Sequence, residues 1–171
     1  MPFPHDPNLT VRVSNAFGRL KASATHLNSV SDDLGKLVSQ LDAALQRLNL
    51  GVSQWVVVER HDGEHDTISM VELGYEKIGS KWGIAIRTRS GFADAPEEIN
   101  EDAWLFSDAP RSLRIKSVDM IPEMLVKLSE AADATSEKMS KKVALVQDVV
   151  AAIVPPSPPI AQPGERVPGR K

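Results

Sequence analysis

Apolar positions along residues 13–48 fall into three rows that only a helix brings together. Val13, Leu20, Leu27, Leu34, Leu41 and Leu48 recur every seven residues. Phe17, Ala24, Ser31, Val38 and Leu45 follow four residues after each, and Ser23, Val30, Leu37 and Ala44 follow three after. Spacings of three, four and seven share one face at 3.6 residues per turn. Ser14 is a suitable N-cap and Asn49 to Gly51 a suitable stop. The pattern predicts a helix over 14–49, roughly 52 Å long at 1.5 Å per residue. Gly35, just after Ser31-Asp32-Asp33, marks a place where a new helix could begin. The seven-residue phase passes through it unshifted, so a single helix is expected.

The period then changes from helical to alternating. Residues 54–90 read as a β-meander, with Val56, Val57 and Val58 in its first strand. Asp62-Gly63 and Gly79-Ser80 supply the turns. A two-residue turn at Gly79-Ser80 sets Tyr75 opposite Ile84, Leu73 opposite Ile86 and Glu72 opposite Arg87. Trp82, Ile84 and Ile86 then share an apolar face with Leu73 and Tyr75, and Glu72 meets Arg87 on the other. Ile68 and Met70 have the opposite parity to Val71 and Leu73, which calls for a bulge or a longer loop in the first hairpin.

An acidic loop is expected over 91–103, with a short strand at Trp104-Leu105-Phe106, and helices over 109–154. Asp108-Ala109-Pro110 is a helix start, and Pro122 requires a kink or restart near Asp119. A second heptad row follows through Val118, Ile121, Leu125, Leu128, Ala132, Thr135, Met139, Val146, Val149 and Ile153. Residues 1–12 form a flexible lead, and the Pro-rich residues 155–171 form a disordered tail. The expected fold is therefore α+β and a single domain over 13–154. In it, two long heptad-patterned helices, antiparallel and coiled-coil-like, flank a three- to four-stranded antiparallel β-meander.

Composition narrows the function classes. The 171 residues include no Cys and carry a net charge of -3. Disulfides, thiolate metal sites and a Cys nucleophile are excluded, and the chain suits a cytoplasmic location. The opening MPFPHDPN is not expected to act as a secretory signal. No apolar run approaches the roughly 18 residues of a membrane span, so no membrane partner is expected. Residues 54–108 hold 12 acidic and 5 basic side chains, which makes nucleic acid an unfavoured partner.

Candidate chemistry is sparse. His61, Glu64 and His65, with Asp62 and Asp66, could hold a divalent metal, but polar residues are expected at a turn in any case. Asp94, Glu97, Glu98, Glu101 and Asp102 could provide an acid–base pair only if buried. Lys77, Lys81, Arg87 and Arg89 with Trp82 suggest a nucleic-acid surface. The PxxP spacings within Pro155 to Pro159 suggest a polyproline ligand for a protein partner. No phosphate-binding, zinc-protease or hydrolase motif occurs. No catalytic, cofactor-binding or metal residue is assigned, and no cofactor is expected.

The first helix is wider in apolar residues than a two-helix seam requires, which suits contact with two neighbours. A homodimer is expected, with Phe17, Val30, Leu37, Val38 and Leu45 at its interface. The expected function is a non-catalytic protein–protein interaction or scaffolding module. A small metal-dependent hydrolase using the acidic and His residues of the meander is the alternative, and a nucleic-acid-associated protein the second.

Overall fold

A computed structural model describes residues 7–92 and 94–153. Helix α1 (Pro7–Leu48) leads into four strands, β1 (Gln54–Asp62), β2 (Thr67–Ile78), β3 (Lys81–Phe92) and β4 (Asn100–Leu105). Helices α2 (Arg111–Ser117) and α3 (Ile121–Ile153) follow, separated by a 3-10 turn at Val118–Met120. Contacts divide the chain between Ala132 and Asp133. The first unit holds the sheet and its core, and the second holds the rest of α3. The tail expected over 155–171 and residues 1–6 of the lead expected over 1–12 lie outside the described residues, while residues 7–12 of that lead are helical.

α1 starts at Pro7 rather than Ser14, because Pro presets the helical φ and lacks an N–H to satisfy in the first turn. It runs unbroken through Gly35 for 42 residues. It stops where Asn49 adopts φ 48 and its N–H bonds the Gln46 carbonyl, a left-handed helix end.

The strands form an antiparallel sheet in the order β1-β2-β3-β4. Ile78 faces Lys81 across Gly79, which takes φ 61, and Tyr75↔Ile84, Leu73↔Ile86 and Glu72↔Arg87 follow in register. The β1–β2 pairing shifts between Val57 and Glu59, a bulge that reconciles the two parities. The first connection is not a two-residue turn. It includes a 3-10 segment, Glu64–Asp66, with His65 and Asp66 both at positive φ. The loop expected over 91–103 is shorter than its acidity implied, because β4 pairs Asn100 to Leu105 with β3. α2 starts at Arg111 behind Pro110, and α3 carries Pro122 in its first turn, where no intrahelical N–H bond is lost.

One sheet face builds the core. Leu73, Tyr75, Ile84 and Ile86 are at most 1% exposed, and they cluster with Val38 and Leu45 of α1 and Met124 and Leu128 of α3. This corrects the expected architecture. The chain runs helix, four-stranded sheet, helix, and two coiled-coil-like helices flanking the sheet do not form. The buried stretch of α1, from Ser31 to Leu45, closes on the sheet instead of on a heptad seam. The reason is one of length: α1 is about 63 Å long, whereas a 12-residue strand spans about 40 Å.

Candidate helix-docking surface

α2 marks the point where the apolar stripe of α1 changes role. Arg111 donates to Asn28 Oδ1 at 2.8 Å, and Arg114 lies 3.4 Å from Ser31 Oγ. C-terminal to this crossing, Val38 and Leu45 are 5% and 6% exposed. N-terminal to it, every residue from Asn8 to Val30 is exposed. Yet the stripe continues in the same heptad phase through Val13, Phe17, Leu20, Ala24 and Leu27. The large side chains among these are between 46% and 69% exposed. So regular an apolar row is seldom left uncovered on a globular domain.

Of the five expected interface residues, Phe17 and Val30 lie N-terminal to this boundary, and Leu37 lies beyond it on a row of the helix that faces away from the core. Phe17, Val30 and Leu37 are exposed, whereas Val38 and Leu45 belong to the chain's own core. Periodicity sets Val30 and Leu37 on a different row from Val38 and Leu45, but it could not separate Phe17 from Val38 and Leu45, which share its row. The signal available was the Arg111–Arg114 segment and its reach to Asn28 and Ser31, which only the tertiary structure supplies.

Charge divides along the same helix. Residues 7–30 carry Arg12, Arg19 and Lys21 and no carboxylate, while residues 31–132 carry 18 Asp and Glu against 11 Lys and Arg. The exposed stripe is thus flanked by cations and attached to an acidic body.

The other candidate clusters are differently engaged. His61 Nε2 lies 3.0 Å from Glu59 Oε1, and Lys116 also pairs with Glu59. The Lys116 bond, with that of His61 second, holds the Glu59 carboxyl below its ordinary range. His65 sits in the left-handed turn. Among the described residues no three His, Asp or Glu side chains converge as a metal site. Asp94, Glu97, Glu98, Glu101 and Asp102 are exposed.

On the outer face of the sheet, Arg87 is held by its neighbours. Its guanidinium stacks 4.2 Å from the Trp55 ring centroid while Nε donates to Glu72 at 2.7 Å. Trp55 Nε1 donates to Glu76 at 2.8 Å, and Arg89 pairs with Glu101 at 3.4 Å. Trp82 lies on the opposite, core face and stacks on Tyr75 with centroids 5.6 Å apart. Arg87 and Arg89 therefore lie on the face opposite Trp82, whereas Lys77 is the cross-strand partner of Trp82 on its own face.

A cleft of about 560 Å³ lies where α1 meets the end of the sheet, lined by Asp42, Gln46, Leu50, Tyr75 and Trp82 among others. Two of its polar side chains are engaged with backbone: Asp42 accepts from Ile84 N–H and Gln46 donates to the Trp82 carbonyl. No helix among the described residues is long and apolar enough to cross a membrane. No family model matches the chain, and no curated protein or solved structure shows significant similarity to it.

Proposed function

We propose that this chain is a non-catalytic protein–protein interaction module. Its sheet-based body anchors α1 by residues 31–45 and leaves residues 9–27 to dock another helix. The observation that supports this is the continuity of one stripe, buried at Leu45 and 66% exposed at Leu20, with no change of heptad phase between them. A membrane-facing helix needs an apolar face but no seven-residue repeat, whereas helix-on-helix packing does.

The test is a triple variant, Phe17→Gln, Leu20→Gln and Leu27→Gln, which keeps good helix formers while removing the stripe. Its unfolding free energy, extrapolated to low protein concentration, is expected within about 1 kcal/mol of the parent, since each surface change contributes little. A variant whose body no longer unfolds cooperatively would show that the stripe serves the chain's own fold.

A further inference from the structure

We propose that the stripe is occupied by the same stripe of a second copy of this chain, laid antiparallel. The proposal rests on the reading of residues 9–27 as a docking face and names its partner. Setting Thr10 against Leu27 of the second copy brings Val13 opposite Ala24 and Phe17 opposite Leu20. The pattern is nearly palindromic about the Phe17–Leu20 layer, so each register position recurs by the two-fold axis. A parallel pairing would stack Phe17 on Phe17 and Ala24 on Ala24, alternating crowded and hollow layers.

Charge favours the same direction. Antiparallel docking carries the Arg12 end of each helix toward the point where the partner's helix enters its acidic body, a few residues before Ser31. Parallel docking would gather two acidic bodies at one end of the pair. Near the axis only Arg19 meets its own copy, at an exposed position where salt screens beyond about 8 Å at physiological strength. The paired stretch is about 27 Å long. That places the contact toward the small end of stable interfaces, which bury about 800 Å² per partner. The dimer is accordingly of moderate affinity.

The chain has no cysteine, so single thiols report the register directly. Thr10→Cys and Leu27→Cys chains carrying tags of different mass are mixed and oxidised, and sedimentation equilibrium is run on the parent. The expected result is a parent dimer and a disulfide between the two different variants. Phe17→Asp is expected to weaken the dimer at least about 30-fold, the effect of losing a central aromatic anchor, while the body melts as before. Disulfides only between like variants would overturn the antiparallel register. A parent monomeric at high micromolar concentration would overturn the second copy as occupant. Neither outcome resembles loss of the body's fold in the triple Gln variant, which is what would sink the docking reading itself.

Discussion

The Asp42 carboxylate on α1 accepts the backbone N–H of Ile84 on β3 at 2.9 Å. One turn later Gln46 donates to the Trp82 carbonyl at 2.8 Å. β4 pairs with β3 only as far as Ala85↔Leu105, after which Phe106 N–H bonds the Ile84 carbonyl. The helix therefore supplies hydrogen bonds to an edge of β3 that lacks a neighbouring strand, which both satisfies the backbone and blocks pairing with another chain. Gly83 makes room for it, since a Cβ there would come within 3.0 Å of Asp42 Oδ2.

Asp42→Ala leaves the Ile84 N–H without its partner and is expected to cost about 1–3 kcal/mol. Burial raises the Asp42 carboxyl above its ordinary 3.8, and the Ile84 bond opposes that rise. The folded chain thus holds this proton more tightly than the unfolded one. The resulting stability is complete below 3.8 and is lost as pH rises through the higher folded value. Asp42→Asn keeps an acceptor oxygen and removes the charge, so it should equal or exceed the parent at pH 7 and flatten this part of the pH curve. Urea unfolding over a pH series checks both. A loss at pH 7 as large as that of the Ala variant would contradict the assignment.

Tyr75 gives a spectroscopic view of the same corner, because it is the chain's one tyrosine. Burial, and then the Asp42 charge, raises its hydroxyl above the ordinary 10.0. The associated stability is present below 10.0 and lost as pH climbs past it. An ultraviolet absorbance titration should place the midpoint above 10.0 in the parent. In Asp42→Asn it should move down but stay above 10.0, since burial remains. An unchanged midpoint would mean the Asp42 charge does not reach the hydroxyl.

Two glycines should respond in opposite directions to the same substitution. At Gly35 a Cβ would lie 3.9 Å from the nearest Arg114 nitrogen, an ordinary contact. Gly35→Ala should therefore stabilise by about 0.5–1 kcal/mol, the helix-interior difference between the two residues. At Gly74 a Cβ would fall 2.4 Å from the Trp55 indole and 2.6 Å from the Gln54 carbonyl. Gly74→Ala must displace Trp55, and with it the indole's contact with Arg87 and its bond to Glu76. A loss of about 2 kcal/mol or more is expected, in the range of overpacked sites. Thermal melts of the two variants bracketing the parent would bear this out.

The contrast shows how much of the molecule its sequence disclosed. The β2–β3 register followed from one turn, because Gly79-Ser80 fixes Ile78 against Lys81 and pleating does the rest. The bulge in β1 showed as a parity conflict near Ile68 and Met70. Acidity hid β4, whose outward carboxylates Glu101 and Asp102 are solvated while Trp104 and Leu105 face protein. The heptad rows of α1 revealed the helix but not its neighbour. A period of seven is compatible with a sheet, a sister helix or a second chain, and only the position of α2 decides where one gives way to another. The edge contact of Asp42 and Gln46 left no trace, since polar residues four apart on a helix are ordinary.

That boundary on α1 yields the sharpest comparison of stability. Leu45 and Leu20 lie on one stripe, 6% and 66% exposed. Leu45→Ala opens a cavity among the sheet residues and should cost about 2–5 kcal/mol. Leu20→Ala removes a side chain that touches little within its own chain and introduces a better helix former, so it should change monomer stability by no more than about 0.5 kcal/mol. Denaturant melts at several protein concentrations separate the two effects. The Leu45→Ala loss should not depend on concentration. Any Leu20→Ala loss should grow as the parent associates, because binding stabilises the folded state by mass action. Equal, concentration-independent losses would place Leu20 in the chain's own core and remove the boundary.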